Sequence, residues 1–335
     1  MNWLIPLVIL CNLAFPVAFQ SNFYPSGQTG PAIVDQGVSV RFGETITFNA
    51  RVEPLTGVNE VLVLITPEGQ PTVWQKMPVD QADSQGNISL TVDARQISLF
   101  PFSKVQYQYE AVMSTGEAIK SPLKSFEYND TRFTWATLNS GIFQIHWYDG
   151  DNTLGQEIAN IAERGFQQSQ TLIKAEPPSP VRIYAYASAS DLQTALQMTN
   201  EPWVAGHASP ELGMILISVA SGPEQKLELE RQIPHEIMHL VQYQVMGNSY
   251  TRQPVWLVEG IASLTELYPN PEYSRVLDAT AKSKNLIPFS SLCASFPREA
   301  SGAFQAYAQS ESFVRFLQRK YGSSGLNNLI AQYQN

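Results

Sequence analysis

The pentapeptide His235-Glu236-Ile237-Met238-His239 combines two metal-binding side chains and a carboxylate at a spacing that suits one helix. Because an α-helix repeats about every 3.6 residues, His235 and His239 lie on one face and can both direct a ring nitrogen at a single metal ion. Glu236 lies one step around the helix, within reach of a water on that metal. The pattern predicts a catalytic metal site with two histidine ligands and Glu236 as the base.

Glu259 is the predicted third ligand. It lies 20 residues after His239, in the mostly apolar segment Trp256 to Leu267, which is typical of a second helix. An ionised glutamate in such surroundings is costly unless it is paired or coordinates a metal. Two histidines and one glutamate are a usual ligand set of catalytic zinc, which keeps a further position open for water. The sequence therefore predicts one Zn²⁺ per chain; the alternative is a solvent-facing helix that carries two histidines by chance.

The chemistry expected of this set is hydrolysis by a metal-activated water. Zinc lowers the pKa of its bound water and polarises a carbonyl oxygen, while Glu236 takes the water proton and passes it to the leaving amine. The oxyanion of the reaction needs a donor besides the metal. Tyr307, in the segment Ala306 to Ser310, is the candidate. Since the chain has 14 tyrosines, an ordinary buried helix tyrosine is the alternative for Tyr307.

Three motifs recur here in an order that resembles a known family. They are Pro-His-Glu-x-x-His at Pro234 to His239, Trp-Leu-x-Glu-Gly-x-Ala at Trp256 to Ala262, and Ala-Tyr-x-Gln-Ser at Ala306 to Ser310. The first two resemble the gluzincin metallopeptidases, a group that includes thermolysin and the aminopeptidase N-like enzymes. More closely, the region from about residue 130 to 335 is similar to the bacterial peptidase-MA-like proteins.

This resemblance implies a thermolysin-like α+β metallopeptidase fold for that region. It also implies zinc at His235, His239 and Glu259, with Glu236 catalytic. By analogy with a tyrosine of the aminopeptidase N-like enzymes, it favours Tyr307 as the transition-state donor.

Two positions depart from the family pattern. Thermolysin-like enzymes carry an aspartate four residues after the ligand glutamate to orient a zinc histidine, and this chain has Ser263 there, so another group must do so. Aminopeptidase N-like enzymes hold the substrate amine with a Gly-Ala-Met-Glu-Asn segment. In its place stands the apolar segment Gly213 to Ser218, which we expect to be the edge strand that pairs with an extended peptide. The missing amine clamp slightly favours an endopeptidase.

Composition and charge limit the class of protein. A chain of 335 residues, 44% hydrophobic and 15% charged, is long enough for two globular domains. Its net charge of −9 argues against nucleic acid as a partner, because phosphate binding needs a basic face. Cys293 is the only cysteine after Cys11, and we expect it to be a buried small apolar residue.

Residues 3–19 are almost wholly apolar, and no charged side chain precedes Asp35. This pattern predicts an export signal over residues 1–20; a cleaved signal peptide and an uncleaved membrane anchor both remain open. We therefore expect an exported protein, extracellular or in the cell envelope, with a peptide or protein as its substrate.

The rest of the chain divides into two predicted domains. Residues 21–130 contain short alternating segments separated by turn signals, which predict a β-sandwich of immunoglobulin type. Residues 131–335 mix strands and helices and predict an α+β peptidase domain. The expected N-terminal strands are Val38 to Val52, Val61 to Thr66, Ile88 to Val92, Val105 to Met113 and Leu123 to Tyr128.

The leading functional hypothesis is an exported zinc metallopeptidase. The alternative is a catalytically inactive binding or adhesion module of the cell envelope on the same scaffold. Intact Glu236 argues against the alternative, because a scaffold kept for binding has no need of the base. The remaining histidines carry weaker signals: His146 is expected to be structural, and His207 is either a loop histidine or a substrate contact.

Overall fold

The computed structural model of the chain describes residues 30–197 and 206–334. Thirteen strands and six α-helices in these ranges form three sheets with flanking helices, so the mixed α+β class is confirmed. The predicted export signal over residues 1–20 lies outside the described residues. Within the described ranges, no helix has both the length and the apolar character needed to span a bilayer.

The N-terminal part of the described chain consists of two antiparallel sheets. One sheet has the order β1-β2-β5, and the other has the order β4-β3-β6-β7, with β8 also paired to β6. The strands are Ala32–Arg41 (β1), Thr45–Glu53 (β2), Val58–Pro67 (β3), Val73–Met77 (β4), Asn87–Asp93 (β5), Lys104–Met113 (β6), Ala118–Lys120 (β7) and Lys124–Glu127 (β8).

Both sheets contribute to one core. Ile46 and Phe48 of β2 and Val61 of β3 are fully buried, as their alternation along the strands predicts. The hydroxyl of Tyr109 on β6 donates to the carbonyl of Asn49 on β2 at 2.9 Å, which links the two sheets. The immunoglobulin type of this unit stays a prediction.

The strand prediction differs from the structure in its division of one segment and in two short strands, β4 and β7, that it does not contain. The segment Val38 to Val52 is not one strand: it is split between β1 and β2, which pair as a hairpin around a turn closed by a hydrogen bond from Glu44 N to Arg41 O. Strand β4 was not predicted, because most of its side chains are exposed and its sequence lacks the alternation of a half-buried strand.

The C-terminal part combines a mixed sheet with helices. The sheet has the order β12-β13-β11-β10-β9; β10, β11 and β13 are parallel, and β9 and β12 are antiparallel strands at the two edges. The elements are Ala136–Ser140 (β9), Phe143–Trp147 (β10), Asn152–Gln170 (α1), Val181–Tyr186 (β11), Ala189–Ala195 (α2), Gly206–Ser209 (β12), Met214–Ser218 (β13), Gln225–Met246 (α3), Val255–Ser263 (α4), Glu272–Ser283 (α5) and Ala300–Ala331 (α6).

The predicted edge strand, Gly213 to Ser218, is an interior strand. It corresponds to β13, which is paired on both sides and buried along its whole length. The edge is formed by the short, partly exposed β12. A continuous apolar run is typical of a strand covered on both faces. The apolar sequence of Gly213 to Ser218 therefore indicates an interior strand and not an edge strand.

Two further expectations differ from the structure. Helix α4 ends at Ser263, whereas the apolar pattern predicted a helix as far as Leu267. Cys293 is exposed, not buried, because it follows a short 3₁₀ turn at the surface.

The two faces of the C-terminal sheet contact different cores. Ile183 and Ile215 face α1 and α3, whereas Tyr184 and Leu216 join the core of β1 to β8. The N-terminal sheets and the C-terminal part therefore share apolar contacts through one sheet.

The predicted domain boundary lies within this contact region. Asp130 is only 1% exposed, forms an ion pair with Arg132 at 2.6 Å and accepts a hydrogen bond from the Tyr186 hydroxyl at 3.0 Å. A buried carboxylate with two partners holds the chain in place at the junction.

Helices α1 and α3 approach each other closely at a glycine. A Cβ atom on Gly165 would lie 2.9 Å from both Cβ and Cγ of Pro234. Pro234 lies inside α3 and does not begin it. The contact therefore fixes the distance between α1 and the helix that carries both candidate histidines.

We predict that Gly165→Ala destabilises the protein by about 1–3 kcal/mol, because the added methyl overpacks the contact with Pro234. Chemical denaturation followed by circular dichroism measures this loss. Asn160→Ala, at an exposed position of α1, is the matched control, and we expect it to change the free energy of unfolding by less than about 0.5 kcal/mol. Equal stability of the two variants would contradict the close contact.

Candidate metal centre

Helices α3 and α4 bring the three predicted ligands together. One ligand atom from each of His235, His239 and Glu259 lies within 4.8 Å of the other two. Oε2 of Glu259 is 3.1 Å from Nε2 of His235 and 3.7 Å from Nε2 of His239. Two imidazole nitrogens and a carboxylate oxygen thus face a common point, the donor set that suits a catalytic zinc.

The other ring nitrogen of each histidine has a partner of its own. Nδ1 of His235 lies 3.2 Å from Oε1 of Glu266, and Nδ1 of His239 lies 2.9 Å from the hydroxyl of Tyr250. Because a carboxylate only accepts hydrogen bonds, Glu266 favours the proton on Nδ1 of His235 and leaves Nε2 free to bind a metal. These contacts fix the orientation of both rings, so the residues present fit a bound metal ion.

Sequence reasoning missed both of these partners. Ser263, the position of the aspartate in thermolysin-like enzymes, has a buried hydroxyl with no hydrogen-bond partner among the described residues. Glu266 makes the orienting contact from the segment that follows α4, where helical spacing from Glu259 no longer applies. Tyr250 also has no local signal, because it reaches His239 through the turn after α3.

The pKa values show how charge is distributed when no metal is bound. Burial alone would lower the pKa of His235, but hydrogen bonds to Glu259 and Glu266 raise it well above its ordinary value. Burial lowers the pKa of His239 to about 4. Burial alone would raise the pKa of Glu259, yet His239 and His235 hold it below its usual range. The site therefore favours a positive charge next to Glu259, the place where a metal cation would bind.

Glu236 lies beside the edge strand β12. A Cβ atom on Gly206 would lie 2.5 Å from Oε1 of Glu236, so a side chain at this position would displace the carboxyl group. Burial raises the pKa of Glu236 to about 7, partly offset by a hydrogen bond from the backbone N–H of Ala208. A carboxyl group with this pKa can both accept and release a proton near neutral pH.

Tyr307 reaches the same centre from α6. A Cβ atom on Gly260 would lie 2.6 Å from the carbonyl oxygen of Ser310, so the glycine after the ligand glutamate lets α6 approach α4. The Tyr307 hydroxyl helps to lower the pKa of Glu259, and the Tyr307 ring lies 6.0 Å from that of His235. The structure thus brings Tyr307 together with the other four predicted site residues.

The remaining two histidines lie in the mixed sheet. His146 stacks on Tyr184 with ring centroids 4.3 Å apart, and its Nδ1 lies 3.0 Å from the hydroxyl of Thr137. His207 lies on β12, and its ring is 5.4 Å from that of Phe100 in the N-terminal part. The N-terminal part therefore contacts the edge strand that borders Glu236.

A family model described as the Peptidase MA superfamily matches residues 161–335, more than half of the chain. The chain belongs to the Peptidase MA superfamily. The matched region contains α3, α4 and α6, and with them all five predicted site residues. Membership confirms the peptidase-MA-like resemblance and identifies a peptidase-type hydrolase scaffold. No curated protein matches the chain.

Several solved structures are similar to parts of this Peptidase MA superfamily chain. An aminopeptidase N family protein from Idiomarina loihiensis is 9% identical with a TM-score of 0.38, covering 89% of this chain and 54% of its own. A mutant M1 zinc metallopeptidase from Deinococcus radiodurans is 10% identical with a TM-score of 0.37, covering 88% of this chain and 85% of its own. This chain thus spans about half the length of the Idiomarina protein.

A family 56 carbohydrate-binding module, a β-1,3-glucan binding domain, is 13% identical with a TM-score of 0.20 and covers 28% of this chain and 98% of its own. Similarities at TM-scores of this size carry no functional argument.

We predict that Glu266→Gln weakens zinc binding by roughly 10-fold, because the variant loses the charge that fixes Nδ1 of His235. Competition with a chelator of known zinc affinity measures the dissociation constant. Glu272→Gln, which neutralises a carboxylate on α5 that does not contact either histidine, serves as the control and should bind zinc like the wild type. Unchanged affinity in Glu266→Gln would mean that its contact with His235 has no part in metal binding.

Proposed function

We propose that this protein is an exported zinc metallopeptidase that hydrolyses peptide bonds with an activated water. The convergence of His235, His239 and Glu259 within 4.8 Å, with the Glu236 carboxyl beside them, is the observation that carries the proposal. A zinc ion at this point supplies Lewis acidity and acidifies water. The other parts of the reaction come from the side chains of the chain itself.

In this proposal Glu236 moves the proton. Its carboxylate accepts a proton from the attacking water and delivers it to the nitrogen of the leaving amine. The pKa of about 7, raised by burial, supports both steps at neutral pH. Because Gly206 allows β12 so close, a peptide on that strand would meet the Glu236 carboxyl directly.

Tyr307 is proposed to donate to the oxyanion. Burial raises the pKa of its hydroxyl well above the ordinary value, which keeps the group protonated and therefore a donor. Its interaction with Glu259 and the contact of its ring with His235 support a position beside the ligands. A donor held there can stabilise charge that develops on a carbonyl oxygen during attack.

The proposed substrate is an extended peptide paired with β12. An edge strand offers unpaired backbone N–H and C=O groups, and main-chain pairing accepts many sequences. The contact between Phe100 and His207 supports a second wall formed by the N-terminal part. Since the sequence carries no amine-binding segment upstream, we favour cleavage within peptides over removal of terminal residues.

We also propose a location and a domain arrangement. The apolar composition of residues 3–19 supports export, with or without retention as a membrane anchor. Residues 21–130 are proposed to form an immunoglobulin-type sandwich, and residues 131–335 the peptidase domain.

We predict that Glu236→Gln keeps about one zinc per chain but loses peptide hydrolysis by roughly 10²–10⁴-fold, since the base is gone and the ligands remain. Zinc content by mass spectrometry and turnover of a peptide library are measured on the same preparation. His239→Ala is the contrasting variant, because it removes a ligand and should lose both zinc and activity. Wild-type turnover in Glu236→Gln would refute this mechanism; a zinc-loaded wild type that cleaves nothing would favour an inactive binding module.

We predict that Tyr307→Phe lowers kcat by roughly 10–10³-fold and leaves KM nearly unchanged, because the lost hydrogen bond forms mainly in the transition state. Steady-state kinetics and the melting temperature are measured together. A structural tyrosine would instead lower the melting temperature and leave kcat per folded molecule unchanged. Tyr321→Phe, at an exposed position of the same helix α6, controls for loss of a hydroxyl elsewhere.

A further inference from the structure

Pro234 leaves one carbonyl group of α3 without its helical donor. In an α-helix each N–H donates to the carbonyl four residues earlier, and proline has no N–H. The carbonyl of Glu230 therefore loses the bond that residue 234 would make. In this structure the N–H of Leu267 donates to the carbonyl of Glu230 at 2.9 Å. A residue from the segment that follows α4 thus replaces the missing helical donor.

Thr265 makes a second hydrogen bond from this segment to α3. Its hydroxyl is fully buried and donates to the carbonyl of Pro234 at 3.0 Å, with a further contact of 2.7 Å to the carbonyl of Ala262. The two acceptors on α3, at Glu230 and Pro234, are one helical turn apart. Residues on either side of Glu266 are therefore tied to consecutive turns of α3.

These hydrogen bonds hold Glu266 next to His235, the residue that follows Pro234. Glu266 lies between Thr265 and Leu267, and its Oε1 is 3.2 Å from Nδ1 of His235. Because α4 ends at Ser263, the segment 264–267 is held to α4 only by turn bonds, such as the 3.4 Å bond from the Glu266 N–H to the Ser263 carbonyl, and it needs a further restraint to stay against α3. The backbone anchor and the threonine hydroxyl supply that restraint.

We propose that Pro234 is a positioning residue of the metal centre: by freeing the Glu230 carbonyl for Leu267, it fixes Glu266 against His235 and raises zinc affinity. The inference rests on the proposed zinc function and extends it. A proline inside a helix lowers helix stability, but the Pro234 ring also packs against Gly165, so its net effect on stability is small while its effect on metal binding is not. If Pro234 only shaped the helix, its replacement would change the stability of the protein and leave its zinc affinity unchanged.

The first test is Pro234→Ala in the full chain. The new N–H competes for the Glu230 carbonyl, so we expect the zinc dissociation constant to rise by roughly 10-fold. Alanine also removes the ring atoms that pack against Gly165, so we expect the melting temperature of the metal-free protein to change little, because this loss offsets the gain in helix stability. Chelator competition and thermal unfolding measure the two effects. Zinc affinity equal to that of the wild type would overturn the proposal.

Thr265→Val provides a second, nearly isosteric variant, and we expect it to weaken zinc binding as well. Thr280→Val is the matched control. The Thr280 hydroxyl also bonds to carbonyls three and four residues earlier, at Leu277 and Val276, but on α5. The zinc affinity of Thr280→Val should equal that of the wild type. Equal affinity in the Thr265 and Thr280 variants would count against the role of this segment.

A double-variant cycle tests whether Pro234 acts through Glu266. If it does, Pro234→Ala adds little to the loss of zinc affinity already present in Glu266→Gln, whereas independent effects would add. Additive losses would overturn the proposed route. A wild type that binds no zinc would overturn the proposed function and this inference together, whereas a zinc-binding wild type with an unaffected Pro234→Ala would overturn the inference alone.

Discussion

Glu259 lies between two imidazoles in a largely buried place, where an ionised carboxylate is costly without positive charge beside it. The same constraint applies to its neighbours. Glu266 is 7% exposed and pairs with His235, and Glu236 is 8% exposed and has a raised pKa. Several acidic groups are thus gathered where charge can be tolerated only if a cation or a proton accompanies it. The packing of the surrounding helices keeps these groups in contact.

Close backbone approach makes this arrangement possible. Gly165, Gly206 and Gly260 each stand where a Cβ atom would meet a neighbouring residue at less than 3.0 Å. Through them α1 contacts α3, β12 contacts Glu236, and α6 contacts α4. Three different elements can therefore approach the two ligand-bearing helices. The glycine of the Trp-Leu-x-Glu-Gly motif has a steric role next to the ligand, separate from any role in metal binding.

The parts of this site that the sequence predicts are the local ones. His235 and His239 lie one helical turn apart, so their spacing alone places them on one face. The contacts of Glu266 with His235 and of Tyr250 with His239 could not be predicted from the sequence. The first depends on how the chain turns after α4, and the second on how it turns after α3. The same limit explains the misplaced edge strand: an apolar run reports burial, whereas the edge position depends on which strand pairs beside it. Family resemblance supplied the place of Tyr307, which spacing alone left open.

The order of these elements along the chain has a consequence for biosynthesis. The histidines and Glu259 are translated before α6, which carries Tyr307 and packs against α4. A nascent chain therefore presents its ligand residues while the helix that covers them is still missing. The arrangement with Tyr307 beside Glu259 forms only once α6 has been synthesised and has packed against α4. Assembly of this centre is thus coupled to the packing of a helix that follows all three ligands in the chain.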